Sequence, residues 1–141
     1  MSPCIVPKAG KPTFTLKENE MEIGMGIHGE PGVRRGELKP ANVVADEMLD
    51  AILSDGAVKG GDRISVLVNS LGATPLEELY ILFARVADRL DKLGAQIVMP
   101  LVGRYATSME MTGASLTILM LDPELEELLR TPAECAFWKV G

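Results

Sequence analysis

The sequence predicts an α/β domain, and three observations carry the prediction. Arg63–Val68, Gln96–Val102 and Ser115–Leu121 are apolar runs of strand length, the first rich in β-branched residues. The segments from Pro40 to about Ser54 and from Thr74 to about Leu93 carry apolar residues at helical spacing. The two kinds of segment alternate along the chain, which is the signature of helices packed on a sheet. With 141 residues, the chain is expected to form a single domain over residues 1–141. Apolar residues at 47% and charged residues at 24% leave it enough core to fold, which excludes a disordered chain.

The elements follow in order. Residues 1–19 hold proline, glycine and lysine around Thr13-Phe14-Thr15-Leu16, a short edge strand. Met21–Ile27 alternates as a strand, with Met21, Ile23, Met25 and Ile27 on one face and Glu22, Gly24, Gly26 and His28 on the other. His28–Leu38 is a loop punctuated by Pro31, Gly32 and Gly36. In the first helix Val43, Val44, Met48, Ala51 and Ile52 form the stripe, with Pro40 suited to its first turn. Gly60-Gly61 leads into the buried strand Arg63–Val68, bounded by Asn69. Thr74-Pro75-Leu76-Glu77 reads as an N-cap, a proline at the first helical position and a capping-box glutamate. Leu76, Leu79, Phe83, Val86, Leu90 and Leu93 line the helix that follows, and Gly94 ends it. Gln96–Val102 and Ser115–Leu121 are further buried strands, and Asp122-Pro123-Glu124 opens a last helix through Leu129.

Several function classes are excluded or disfavoured. A net charge of -6, with no basic patch interleaved with aromatics, argues against nucleic acid and anionic membrane surfaces as partners. The two cysteines, Cys4 and Cys135, match no metal spacing, and with a single histidine no metal site is expected. Free thiols in a cytoplasmic protein are the expectation. The N-terminal residues lack the pattern of a signal peptide, and no apolar run has the length of a membrane span.

Two loops offer chemistry. His28 is the only histidine and stands among glycines, which let a ligand or another backbone approach closely. Its imidazole is largely neutral near physiological pH, hence basic or nucleophilic. On the residues alone, a hydrogen-bonded turn histidine is the competing reading. Gly26, Gly29 and Glu30 flank it as substrate-binding candidates, Glu30 close enough in sequence either to orient the imidazole or merely to be solvated. Arg34 and Arg35 either receive an anionic group or form a solvated pair, and they are partner-binding candidates with Asn69 and Gly72 of the second loop. That loop, Asn69–Thr74, precedes a helix N-terminus whose N–H groups suit an anion or a partner's acidic side chain. It lacks a phosphate-binding Gly-x-x-x-x-Gly-Lys-Ser/Thr pattern, and a structural or interface role is favoured. Gly24-x-Gly26 lies inside a strand and is not a dinucleotide fingerprint. The eight methionines sit at core-like positions, and the acidic first turn at Glu124, Glu126 and Glu127 suits a helix dipole.

Four segments, Ala9–Phe14, Glu22–Gly32, Val68–Tyr80 and Thr107–Thr117, resemble the second part of the dihydroxyacetone (glycerone) kinase substrate-binding K subunit, across almost the whole chain. The resemblance implies a two-layer domain with a mixed β-sheet and helices mainly on one face. It implies that His28 bonds covalently to the ketone carbon of dihydroxyacetone, giving a hemiaminal. A preceding domain in that family supplies a glycine-rich substrate loop, a second histidine and an aspartate acting on the hydroxyl. A separate L subunit carries ADP or ATP with magnesium, so no cofactor is expected on this chain. The stretch is thus expected to be half of a substrate site, inactive by itself, with the first domain, the L subunit and a second copy in a homodimer as partners. Pro132–Gly141 resembles a subunit end, which favours rephosphorylation from phosphoenolpyruvate by the phosphotransferase system. The alternative is a non-catalytic ketose-binding, sensing or interaction protein.

Overall fold

The β-branched run becomes the centre of a sheet. In the computed structural model, which describes residues 3–12, 14–26 and 30–141, twelve elements are assigned among those residues. They run β1 (Ile5–Val6), β2 (Lys11–Pro12), β3 (Glu20–Ile23), β4 (Arg34–Glu37), α1 (Ala41–Ser54), β5 (Arg63–Ser70), α2 (Leu76–Leu93), β6 (Gln96–Gly103), β7 (Ala114–Met120), α3 (Pro123–Arg130), β8 (Ala133–Cys135) and β9 (Trp138–Val140). The main sheet has the order β6-β5-β7, with β5 parallel to β6 and antiparallel to β7. It is therefore mixed. Ile64, Val66 and Val68 project from one face of β5 into a core shared with Ala45 and Leu49 of α1 and Leu79, Val86 and Leu90 of α2. Both long helices lie on that face, so the two-layer α/β architecture holds.

The spacing places most of this core. Leu79, Val86 and Leu90 sit 1%, 2% and 0% exposed, while Leu76 and Leu93 at the ends of the same stripe stay in solvent. Gly94 stops α2 in the left-handed conformation, as its position predicts. In α1 the inner face is Ala45 and Leu49 rather than Val43 and Ala51, which are exposed. The stripe is rotated because Asp46 turns towards Arg85 and Arg89 of α2, joining the helices by ion pairs at 2.9 and 3.3 Å. β6 is an edge strand, half-buried rather than fully buried, and its Pro100 lacks an N–H.

The structure departs from or adds to the local expectations at five places. Thr13–Leu16 is not the edge strand, as far as it is described: β2 comes earlier and pairs with β1 across a turn in which Ala9 and Gly10 donate to the Val6 carbonyl. Met21–Ile27 gives only β3, since Gly24 adopts a φ of 76° that breaks the extended run. Arg34–Glu37 is strand, not loop, paired antiparallel to β3. Pro132–Gly141 carries the β8–β9 hairpin, whose Trp138 meets Tyr105 edge-on at 5.6 Å. Thr74 does not cap α2: its Oγ1 donates to the Gly113 carbonyl at 2.8 Å, and Pro75 holds the cap position without a side-chain bond. Asp122 does cap α3, accepting from the Leu125 N–H. Cys4 is buried, Cys135 is exposed, and both are free.

Candidate functional site

The β3–β4 hairpin frames the histidine loop. Its register pairs Glu20 with Glu37, Met21 with Gly36, Glu22 with Arg35 and Ile23 with Arg34. Ile27, His28 and Gly29 lie outside the described residues. The chain on either side of them is held together by the Gly26 N–H, which donates to the Glu30 carbonyl at 3.1 Å, and by the Val33 N–H on the Ile23 carbonyl at 2.9 Å. The alternation of β3 predicts Glu22 on an open face. Instead Glu22 is buried, 6% exposed, alongside Met21 at 3%. Its Oε1 accepts from the Gly32 N–H at 2.6 Å and its Oε2 from Arg35 Nε at 2.7 Å. A carboxylate deprived of water is stable only with such charge-assisted partners.

Two glycines of the loop are required by close approach. A Cβ on Gly32 would lie 2.7 Å from Glu22 Oε1 and 2.8 Å from the Ile23 carbonyl, and one on Gly26 would overlap the Glu30 carboxylate. Gly26 and Glu30, both predicted beside the substrate, are thus brought into contact. Arg35 completes the frame: its guanidinium lies over the Phe14 ring at 5.8 Å and reaches the Thr15 carbonyl. Arg34 pairs with Glu47, which also receives Lys39. The bond from Lys39, then the charge of Arg34, holds the Glu47 carboxyl below the usual carboxylate range. Both arginines therefore meet carboxylates within the chain, while about half of each side chain stays exposed.

The second loop packs beside the first. Phe14, Leu16, Glu22 and Met25 share a small, largely apolar recess with Leu71 and with Met111–Gly113. Asn69, 2% exposed, spends its whole amide internally: Oδ1 accepts from the Tyr105 and Ala106 N–H groups, and Nδ2 donates to the Ala106 carbonyl and Ser115 Oγ. The Asn69 side chain is thus engaged within the chain. Gly72 bridges to Met111, and any side chain on it would overlap the Met109 carbonyl. It borders an open cavity of about 420 Å³ at the carboxyl ends of β5 and β6, walled by Thr74, Pro75, Leu79 and Arg104. The sequence reading missed Glu22 and this recess. The signal available was a carboxylate inside an otherwise apolar and glycine run.

Among the described residues no group of three or more His, Cys, Asp and Glu side chains could hold a metal ion, and no helix is long and apolar enough to cross a membrane. The arrangement offers a glycine-framed histidine loop, tied at its base by one buried carboxylate and bordered by apolar side chains.

Comparison with known proteins places this geometry. The family model of the Dak1 domain matches residues 1–137. The PTS-dependent dihydroxyacetone kinase 2, dihydroxyacetone-binding subunit DhaK, of Listeria innocua is 44% identical over 140 residues, covering 99% of this chain and 42% of the relative. The PEP-dependent dihydroxyacetone kinase, dihydroxyacetone-binding subunit DhaK, of Escherichia coli is 41% identical, covering 92% of this chain and 43% of the relative. A solved structure, the dihydroxyacetone kinase operon co-activator Dha-DhaQ, superposes with a TM-score of 0.82 at 33% identity, over 93% of this chain and 41% of that one. The chain spans about two-fifths of the length of these two DhaK relatives.

Proposed function

The chain belongs to the Dak1 domain family, and on that premise we propose that it is the histidine-bearing part of the substrate-binding subunit of a dihydroxyacetone kinase. His28 is the covalent anchor. The unprotonated ring nitrogen of its neutral imidazole attacks the ketone carbon, an N–C bond forms, and the carbonyl π pair moves to oxygen. That oxygen takes up a proton while the ring gives up the one on its other nitrogen, so the product is a hemiaminal. Capture of this kind selects ketones over glycerol, which has no electrophilic carbon. It also fixes the terminal hydroxyl for phosphoryl transfer, a reaction governed by positioning.

The observation that carries this reading is the Glu22–Gly32 segment: the only histidine of the chain, in a loop whose Gly26 and Gly32 have no room for a side chain. Gly26, Gly29 and Glu30 line the bound ketone. Arg34, Arg35 and the backbone about Asn69 and Gly72 face partners. Those partners are the L subunit, which holds ADP or ATP with magnesium and is rephosphorylated through the phosphotransferase system, the first domain of the K subunit, and a second copy. A cytoplasmic location accompanies this reading. The stretch alone does not turn over substrate, because the groups that hold the hydroxyl lie in the first domain. Likeness to an operon co-activator supports a second reading, a ketose-binding sensor without kinase activity.

Intact-mass measurement after incubation with dihydroxyacetone, with the first domain present, tests the anchor. A mass gain is expected in the wild type and none in His28→Ala. Equal gain in both would overturn it. Turnover with an L subunit then separates kinase from sensor.

A further inference from the structure

Glu22 is the one acidic side chain among the described residues that is buried in the core of the histidine-loop hairpin. Its two oxygens hold groups on the far side of that loop, the Gly32 N–H at 2.6 Å and Arg35 Nε at 2.7 Å. Glu22 precedes the loop and both partners follow it, so one carboxylate closes the loop at its base. Arg35 in turn lies over Phe14, and Phe14 and Glu22 both line the recess shared with Leu71 and Met111. From these contacts we infer that Glu22 is a positioning residue for substrate capture: it holds the chain before the histidine loop to the chain after it, at Gly32 and Arg35, without touching the substrate itself. The inference rests on the proposed capture by His28.

The chemistry requires a carboxylate at this place. Both groups it binds are donors, and only an acceptor with two oxygens serves both. In Glu22→Gln one oxygen becomes an NH₂, which faces either the Gly32 N–H or the guanidinium donor to donor. Shape and volume are nearly unchanged, so the substitution opens the loop rather than the core. Arg35→Lys opens the same clamp from the other end, since lysine has no Nε at the required position.

Two measurements test this. In steady-state kinetics of the assembled kinase, Glu22→Gln is expected to raise KM for dihydroxyacetone about tenfold, the scale of one lost charge-assisted bond, with kcat nearly unchanged. A merely structural role would lower the active fraction, and therefore kcat, at constant KM. By amide hydrogen exchange, Gly32 is expected to lose protection in Glu22→Gln while Val66 on β5 keeps it. Unchanged KM together with unchanged Gly32 protection overturns the inference, as does a loss confined to kcat. Should Glu22→Gln not fold, Arg35→Lys decides in its place, with a smaller KM rise expected and an unchanged KM counting against. The His28→Ala variant keeps the two readings apart: if its mass and KM match the wild type, capture by His28 fails, and Glu22 fails as a capture residue with it. Lost Gly32 protection would then show a loop clamp of no catalytic consequence.

Discussion

The helix-backed sheet and the β3–β4 hairpin are held by different physics. In the sheet, Leu49, Ile64, Val66 and Leu90 are all fully buried, and each interaction is non-directional and shared among many neighbours. In the hairpin, Met21 supplies the buried apolar side chain, and the geometry rests on directed bonds: the β3–β4 pairing, the backbone bonds Gly26–Glu30 and Val33–Ile23, and the Glu22 carboxylate with its two donors. The scaffold rests on shared contacts and the hairpin on directed bonds. A packed core yields gradually when one contact is lost, whereas a two-bond clamp is either made or broken.

Substitutions in the two regions should separate accordingly. Leu90→Ala, at a position with no exposure, is expected to cost about 3 kcal/mol of stability, read from urea denaturation, because transfer and cavity terms add. A cost below about 1 kcal/mol would mean that the core collapses to fill the gap, and the contrast would be lost. Gly32→Ala is expected to cost less globally, about 1–2 kcal/mol, because the hairpin can shift to admit the methyl group. It should deprotect the β3–β4 amides while leaving those of β5 protected. Uniform deprotection would show that hairpin and sheet unfold as one unit.

The smallest effect belongs to the ion pairs between the helices. The hydrogen bond from Arg85, with smaller contributions from its charge and from Arg89, holds Asp46 below the ordinary value of 3.8. A carboxylate with a depressed pKa in the folded state binds fewer protons there than when unfolded, so its contribution is fully present above 3.8 and disappears as pH falls through the lower folded value. Asp46→Asn should therefore be less stable than the wild type at neutral pH, and the gap in thermal midpoint should close under acid. A gap that persists below the folded pKa would assign the effect to packing between the helices. Salt should narrow the gap at neutral pH, since these side chains are partly exposed.

Legibility in the sequence follows the same division. Leu79, Val86 and Leu90 repeat at helical spacing because a helix buried on one side leaves no other choice, and Gly94 marks the end because a left-handed cap favours glycine. β5 shows itself as a continuous apolar run because it is the central strand. β4, by contrast, is Arg-Arg-Gly-Glu, with no apolar alternation, and becomes a strand only because β3 offers its edge and Glu22 receives Arg35. β8 and β9 are three residues each and mostly exposed, so no periodicity can announce them. Thr74 misled for a related reason: its hydroxyl has an equally good acceptor in Gly113, thirty-nine positions along the chain, and tertiary structure decides between the two. The histidine loop was legible as a motif, but its anchoring was not, because a buried carboxylate shows its partners only once the chain has folded.

The crowding around Gly26, Gly32 and Gly72 changes what natural variation at these positions can mean. Any side chain there, whatever its chemistry, collides with Glu30, Glu22 or the Met109 carbonyl. A side chain at any of the three obliges its neighbours to shift, so drift would be opposed even in a descendant that had lost every trace of activity. Constancy of the glycines therefore records only the inheritance of a shape. Loss of chemistry would be written first at His28, and a lineage that had turned from enzyme to sensor could carry the whole glycine frame unaltered.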